Sequence, residues 1–273
     1  MSGTPPFLSS QDAEKSRRDR ETEHQRKSDK QKIWPVKFSD PGTLVTLIAG
    51  KDETYTKFLV HKEVACHHSR VWLDNPHPFN LKLHPHSPAI DVLKAAFESD
   101  FIEGQTQTYR LEESTKGAVT FLMQFLYSQK LHTIQLNDDC SIEDFQSKVP
   151  GMNNEDHVLV ELWTLGDLLH IPKLQNVALK AIHAIQEKAN RVRIHSLKDV
   201  YSLTSSGSLL RKYFVEVAVF NMTHDGFDYC PDHYPHEMLL DVIRLMRTER
   251  YIEMIKTNSI GNYYVEVSDF FLP

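Results

Sequence analysis

From Ser10 to Lys32 the chain is charged and polar with both signs interspersed, and no apolar spacing runs through it. With no apolar face to bury, residues 1–33 are expected to form a solvated, disordered tail. Apolar patterning begins at Trp34. "TLVTLIAG" (Thr43 to Gly50) is a short apolar run closed by glycine, and "KDET" follows as a polar turn. In "YTKFLV" the residues Thr56, Phe58 and Val60 alternate onto one face. Two such runs around a polar turn predict a β-hairpin. "HKEVACHHSRVW" then sets Val64, Ala65, Val71 and Trp72 along one side of a helix starting near Lys62. Pro76, Pro78 and Pro85 interrupt the stretch from Asp74 to Ser87, which predicts a loop.

Helical spacing returns in "IDVLKAAFESDF", where Val92, Ala96 and Phe97 share a stripe, and "QTYRL" (Gln107 to Leu111) predicts a third strand. "STKGAVTFLMQFLYSQKL" opens on a Ser or Thr cap and repeats Val119, Leu122, Phe125 and Leu126 at helical intervals. Thr133 to Asn154 is polar and irregular, a second long insertion. "EDHVLVELWTLGDLLHIPKLQNVALKAIHAIQEK" predicts two helices broken at Pro172, which suits the first turn of the second. Leu174, Val177, Ala181 and Ile185 mark the buried side of that second helix. Two more amphipathic stretches follow, around Leu197 to Phe220 and Met238 to Ile255, and then a β-prone end, "NYYVEVSDFF". No repeat period is present.

Composition narrows the class. The 273 residues are 40% hydrophobic and 25% charged, enough apolar material for a sizeable core. A net charge of -6 argues against nucleic-acid binding, which needs a basic surface to displace counterions. Cys66, Cys140 and Cys230 are odd in number and widely scattered, a usage that points to a reducing compartment. The N-terminal stretch lacks the apolar core of a signal peptide, and no later run is long enough to span a bilayer. The expectation is a cytoplasmic or nuclear protein without membrane contact. The basic run "KSRRDR" is diluted as a nuclear-localisation patch by Asp19 and the flanking acids.

The ordered features resemble the BTB (POZ) domain. That family's pattern is a hairpin running into His-Lys or His-Arg, then a helix with Ser eight positions after the His and an aromatic residue three further on. His61, Ser69 and Trp72 stand at those offsets, with Val64 at the usual aliphatic position. "AAFESDFIEG", "TYRL", "FLMQFLYSQKL" and "LVELWTLGDLLHIPKLQNVALKAI" follow in the family's order, so the resemblance covers roughly Pro41 to Lys188. Within the family it looks most like the BTB proteins of filamentous fungi. The resemblance implies an α+β fold, a small three-stranded sheet flanked by a helix cluster over 41–188, with a helical C-terminal extension over 189–273. It implies that His61 ends its strand as a hydrogen-bonded corner, and that the function is non-catalytic protein–protein interaction. For some members it implies a substrate adaptor for a cullin-type ubiquitin ligase, a role that needs a separate substrate-binding domain; none is visible.

Three departures from the pattern bear on self-association. Leu73 to Ile90 is inserted after the first helix, the loop after Leu131 is enlarged, and only "IWPVKF" stands where dimeric members carry an exchanged helix. The outer face of the first helix offers Glu63, His67 and Arg70, a set costly to bury without partners. The expectation is a monomer or a weak homodimer.

Candidate chemistry is sparse. His61, Cys66, His67 and His68 crowd into eight positions, but neighbours on a helix point about 100° apart and cannot converge on one ion. No local base activates Cys66, which is expected to be a small core residue. His77, His84 and His86 in the proline loop make at most an adventitious metal site. His224, Cys230, His233 and His236 form H-x5-C-x2-H-x2-H, the better metal candidate, and carry the alternative reading of a zinc-binding protein or metal enzyme. That spacing matches no familiar zinc pattern. Phosphate-loop, dinucleotide, nucleophile-elbow and H-E-x-x-H motifs are missing, and acids such as Asp138 stand singly in loops. Trp163 and Leu168 are read as core positions of a helix. The chain is therefore expected to have no catalytic residues, cofactor or metal, and to act on other proteins.

Overall fold

Strand β1 (Leu44–Ala49) is the centre of a small sheet. Strand β2 (Thr56–His61) pairs with it antiparallel, from Leu44 opposite His61 to Ala49 opposite Thr56. Strand β3 (Thr108–Leu111) lies on the other side and runs parallel to β1, giving the order β2-β1-β3. The computed structural model describes residues 38–51, 55–67, 92–137, 152–189, 194–221, 231–248 and 260–266. The period of two along each strand sends Val45, Leu47, Ala49, Val60 and Leu111 to one face, where all are buried. The chain is thus a mixed α+β fold, with a three-stranded sheet and a larger set of helices.

Helix α1 (Lys62–His67) leaves β2 without a connecting residue and buries Val64 and Ala65. Cys66 beside them is only half-buried, so it is not the core residue its neighbours suggest. Helix α2 (Val92–Glu98) buries Leu93 and Phe97, one turn apart; its stripe centres on Leu93, with Val92 and Ala96 at the margins. A short turn of helix, α3 (Ile102–Thr106), ends at Gln107 in the left-handed region and delivers the chain to β3.

Helix α4 (Lys116–Ser128) is capped by Thr115, whose side chain accepts from the Ala118 amide at 3.3 Å. Val119, Leu122, Phe125 and Leu126 are all buried. Helices α5 (Met152–Leu168) and α6 (Pro172–Ala189) pack side by side, with Pro172 opening the second. Gly166 allows that approach, since a β-carbon there would lie 2.8 Å from Gln175 Cγ and 3.1 Å from its backbone nitrogen. Trp163 is buried, but Leu168 is 57% exposed. The core positions at this helix end go to Leu165, Leu169 and Ile171, which leaves Leu168 turned outward. On α6 Leu174, Ala181 and Ile185 are buried and Val177 is intermediate.

The start of the long insertion is better anchored than its polarity suggests. Thr133 and Gln135 are buried, and the amides of Ile134 and Gln135 donate to the Glu155 carboxylate at 2.7 and 3.1 Å. An acid in the first turn of α5 thereby captures the preceding chain.

Helices α7 (Leu197–Leu203), α8 (Leu209–Asn221) and α9 (His236–Met246) form the C-terminal part, with α7 resting on α5. Arg211 on α8 ties them together, donating to the Tyr201 carbonyl at 2.7 Å, to Thr204 Oγ1 at 3.0 Å, to the Thr204 carbonyl, and to Glu237 at 3.0 Å. Its guanidinium also lies 4.5 Å over the Tyr201 ring.

The β-prone end does not form a strand among its described residues. Asn262 and Tyr263 lie in a 3-10 turn (Ile260–Tyr263), Tyr263 is buried against Tyr213, and the side chain of Asn176 takes the backbone of Val265 at 2.6 Å on both sides. Side-chain amide bonds on α6 replace the ladder that a strand would need.

Candidate functional site

His61 is the last residue of β2 and the point from which α1 departs. Its Nδ1 lies 2.8 Å from the Tyr127 hydroxyl, and its backbone N–H donates to the same oxygen at 3.2 Å. Phe38 closes the other side of the ring edge-on, with centroids 5.2 Å apart. Tyr127 comes from the last turn of α4, in the "FLYS" segment, so this corner joins the hairpin to the helix cluster. Val64, in the first turn of α1, is buried; Ser69 and Trp72 lie outside the described residues.

Glu63 faces the chain before β1 rather than open solvent. Its carboxylate accepts from the Ser39 amide at 2.9 and 3.0 Å, from the Ser39 hydroxyl, and from the Asp40 amide at 3.2 Å. These bonds, those from Ser39 foremost, hold its pKa below the ordinary carboxylate value. His67 is exposed, and His68 and Arg70 fall outside the described residues.

The metal candidates divide. His233 sits in a 3-10 turn (Pro231–His233), with Nε2 3.2 Å from Nδ1 of His195 and the two rings nearly perpendicular. His236 begins α9 and is exposed. His224 and Cys230 lie outside the described residues, as do His77, His84, His86, Asp138 and Cys140. Among the described residues no three His, Cys, Asp or Glu side chains converge as a metal site.

Exposed apolar side chains gather on the outer face of the sheet, as they also do along α9 at Leu239, Leu240, Ile243 and Met246. Leu59 on β2 stands opposite Thr46, which stands opposite Thr108 on β3. One row along, Lys57, Ile48 and Arg110 line up in the same way. Leu59 is 64% exposed and Leu44 also projects on this side, while Ile48 is covered. The first residue of α3, Ile102, closes the end of a shallow cleft of about 320 Å³, lined also by Glu103, Thr106 and the row of Lys57, Ile48 and Arg110. Sequence reading passes over this face because one hairpin strand carries large apolar side chains on both sides. Phe58 and Val60 supply the expected alternation, and Leu59 is the surplus that signals a second use.

Helices α6 and α8 hold a second polar cluster. His183 Nδ1 lies 3.0 Å from the Tyr213 hydroxyl, which donates to Gln186 at 2.7 Å. Burial pushes the Tyr213 phenol well above its usual range and lowers the His183 pKa, with nearby Glu187 opposing the latter. The cluster packs between α6 and α8. No helix among the described residues is long and apolar enough to cross a membrane. No protein-family model matches the chain, and no curated protein matches it.

Proposed function

We propose that this chain is a non-catalytic protein–protein interaction module of the BTB type, its domain running from Pro41 to Lys188 with a helical extension behind it. The observation that carries the reading is the corner at His61. A hairpin strand passes directly into a helix, and the histidine at the junction is held by Tyr127 from the helix that ends in "FLYS". The sheet order β2-β1-β3 and the helix pair opened by Pro172 support the same reading. So does an exposed apolar sheet face, a feature typical of surfaces that bind other proteins.

The test is affinity purification of the full chain followed by identification of the proteins retained. Specific proteins recovered at stoichiometric levels, with binding reproduced from purified components, are the expected result. A cullin-type scaffold among them would extend the reading to a ligase adaptor. A purified chain that retains no protein partner yet turns over a small-molecule substrate would overturn it.

A further inference from the structure

We infer that the outer face of the sheet binds an extended peptide segment of a partner protein, one that carries an acidic residue two positions from a branched aliphatic residue. The inference rests on the interaction-module reading and gives the partner a chemistry. It starts from register. Lys57, Ile48 and Arg110 occupy one row across the three strands, and Leu59, Thr46 and Thr108 occupy the next. Rows two residues apart are separated by about 6.7 Å, the same repeat that brings every second side chain of an extended peptide to one side. A peptide laid along the strands therefore sets residues i and i+2 over successive rows.

The two rows differ in what they accept. In the first, exposed cations flank the covered aliphatic side chain of Ile48. Among the described residues Glu103 is the one acid lining this cleft beside Lys57 and Arg110, so that lining carries an excess of positive charge, although the whole chain is acidic. Among the described residues no carboxylate pairs with either cation; Lys57 only approaches the Tyr55 ring, at 5.5 Å. The nearby Lys51, by contrast, is taken up by Glu113. A carboxylate placed over Ile48 meets a cation on each side. In the second row, Leu59 and the Thr46 and Thr108 side chains give a mainly apolar floor that suits Leu, Ile or Val. A nucleic acid fits worse: two cations give little counterion release.

The test uses the full chain and fluorescein-labelled synthetic peptides of about ten residues in extended-favouring sequences with a repeated Glu-x-Leu spacing. Lys-x-Leu and Glu-x-Ser peptides and a single-stranded DNA oligonucleotide serve as controls. Fluorescence anisotropy should show binding of the Glu-x-Leu peptides alone. Combining Lys57→Glu with Arg110→Glu should weaken that binding about tenfold and transfer preference to the Lys-x-Leu peptides. Both sites are exposed, so an unchanged melting temperature verifies the fold. Leu59→Ser should weaken the same peptides without transferring preference. No binding by the Glu-x-Leu peptides, binding indifferent to the charge reversals, or equal binding of the oligonucleotide lost in the same variants would each overturn the inference. Running the affinity purification with the charge-reversed chain separates the two readings. Partners retained undiminished leave the interaction module standing and remove this face from it.

Discussion

The Tyr127 hydroxyl holds His61 at two atoms, ring Nδ1 at 2.8 Å and backbone N–H at 3.2 Å, across 66 residues of chain. One phenol oxygen thus satisfies the last amide of β2 and orients the ring beneath which α1 begins. Tyr127→Phe removes the oxygen and keeps the ring; with both bonds at a half-exposed site it should cost about 1 kcal/mol. Urea denaturation of Tyr127→Phe, His61→Ala and the double variant checks it. Strictly additive losses would show that the two residues stabilise the corner independently.

The corner also shows what a sequence can and cannot reveal here. His61 stands out by its place at the end of an alternating strand. Its partner does not, because Tyr127 sits on a helix whose apolar spacing is complete without it. Local periodicity placed the strands, the helices after Thr115 and the break at Pro172, since each is set by neighbours a few residues away. Leu168 and the C-terminal "NYYVE" depart from the expectation for the same reason in reverse. Leu168 loses its core position to Leu169 and Ile171, which the turn before α6 brings inward. Val265 loses its ladder to Asn176, 89 residues distant. The outer sheet face needs the register of three strands, and no single strand contains that.

Arg211 is 7% exposed along its side of the C-terminal part and joins α7, α8 and α9 through backbone carbonyls as well as Glu237. Glu237 is largely in solvent, so the ion pair adds little beside the carbonyl bonds. Arg211→Met should still destabilise by about 2–3 kcal/mol, because the Tyr201 and Thr204 carbonyls lose a charged donor in a buried place. Arg211→Lys should recover less than half of that, lacking the planar fork that reaches both carbonyls. Denaturation midpoints decide it. Equal stability of the lysine variant would assign the effect to charge alone.

At Gly166 two terms oppose each other. Alanine is the better helix former by about 1 kcal/mol. Its β-carbon, however, meets Gln175 at 2.8 Å on a side chain and 3.1 Å on backbone, and only the side chain can swing away. Overpacking of this kind costs about 1–3 kcal/mol, so Gly166→Ala should be destabilising by about 1 kcal/mol net. A stabilised variant in thermal melts would mean that the α5–α6 pair slides apart at no cost.

Self-association tests the departures from the family pattern. Glu63 on α1 already has partners in Ser39 and Asp40, so covering it with a second subunit would displace or enclose those bonds. Light scattering across a dilution series should report a species near the 31.6 kDa chain mass at low micromolar concentration. Any dimer should dissociate on dilution. A species of twice that mass that persists on dilution would refute the expectation.

The pH dependence of stability follows from His183. Burial lowers its folded pKa beneath the unfolded value of about 6.5, and Glu187 only partly offsets this. Below that unfolded value the unfolded chain binds a proton that the folded chain resists, so stability must rise with pH across the interval. The His183 contribution is complete above the unfolded value and is lost as pH falls toward the folded one. Glu63 has the same sign at lower pH: its depressed pKa supports the fold above the ordinary carboxylate value and ceases to do so as it protonates. Urea midpoints should therefore fall in two stages on acidification, the first beginning near pH 6.5. His183→Gln keeps a hydrogen-bonding group beside Tyr213 but does not titrate, so it should flatten the first stage and leave the second. If the first stage survives that substitution unchanged, the proton is taken up elsewhere and His183 is not its source.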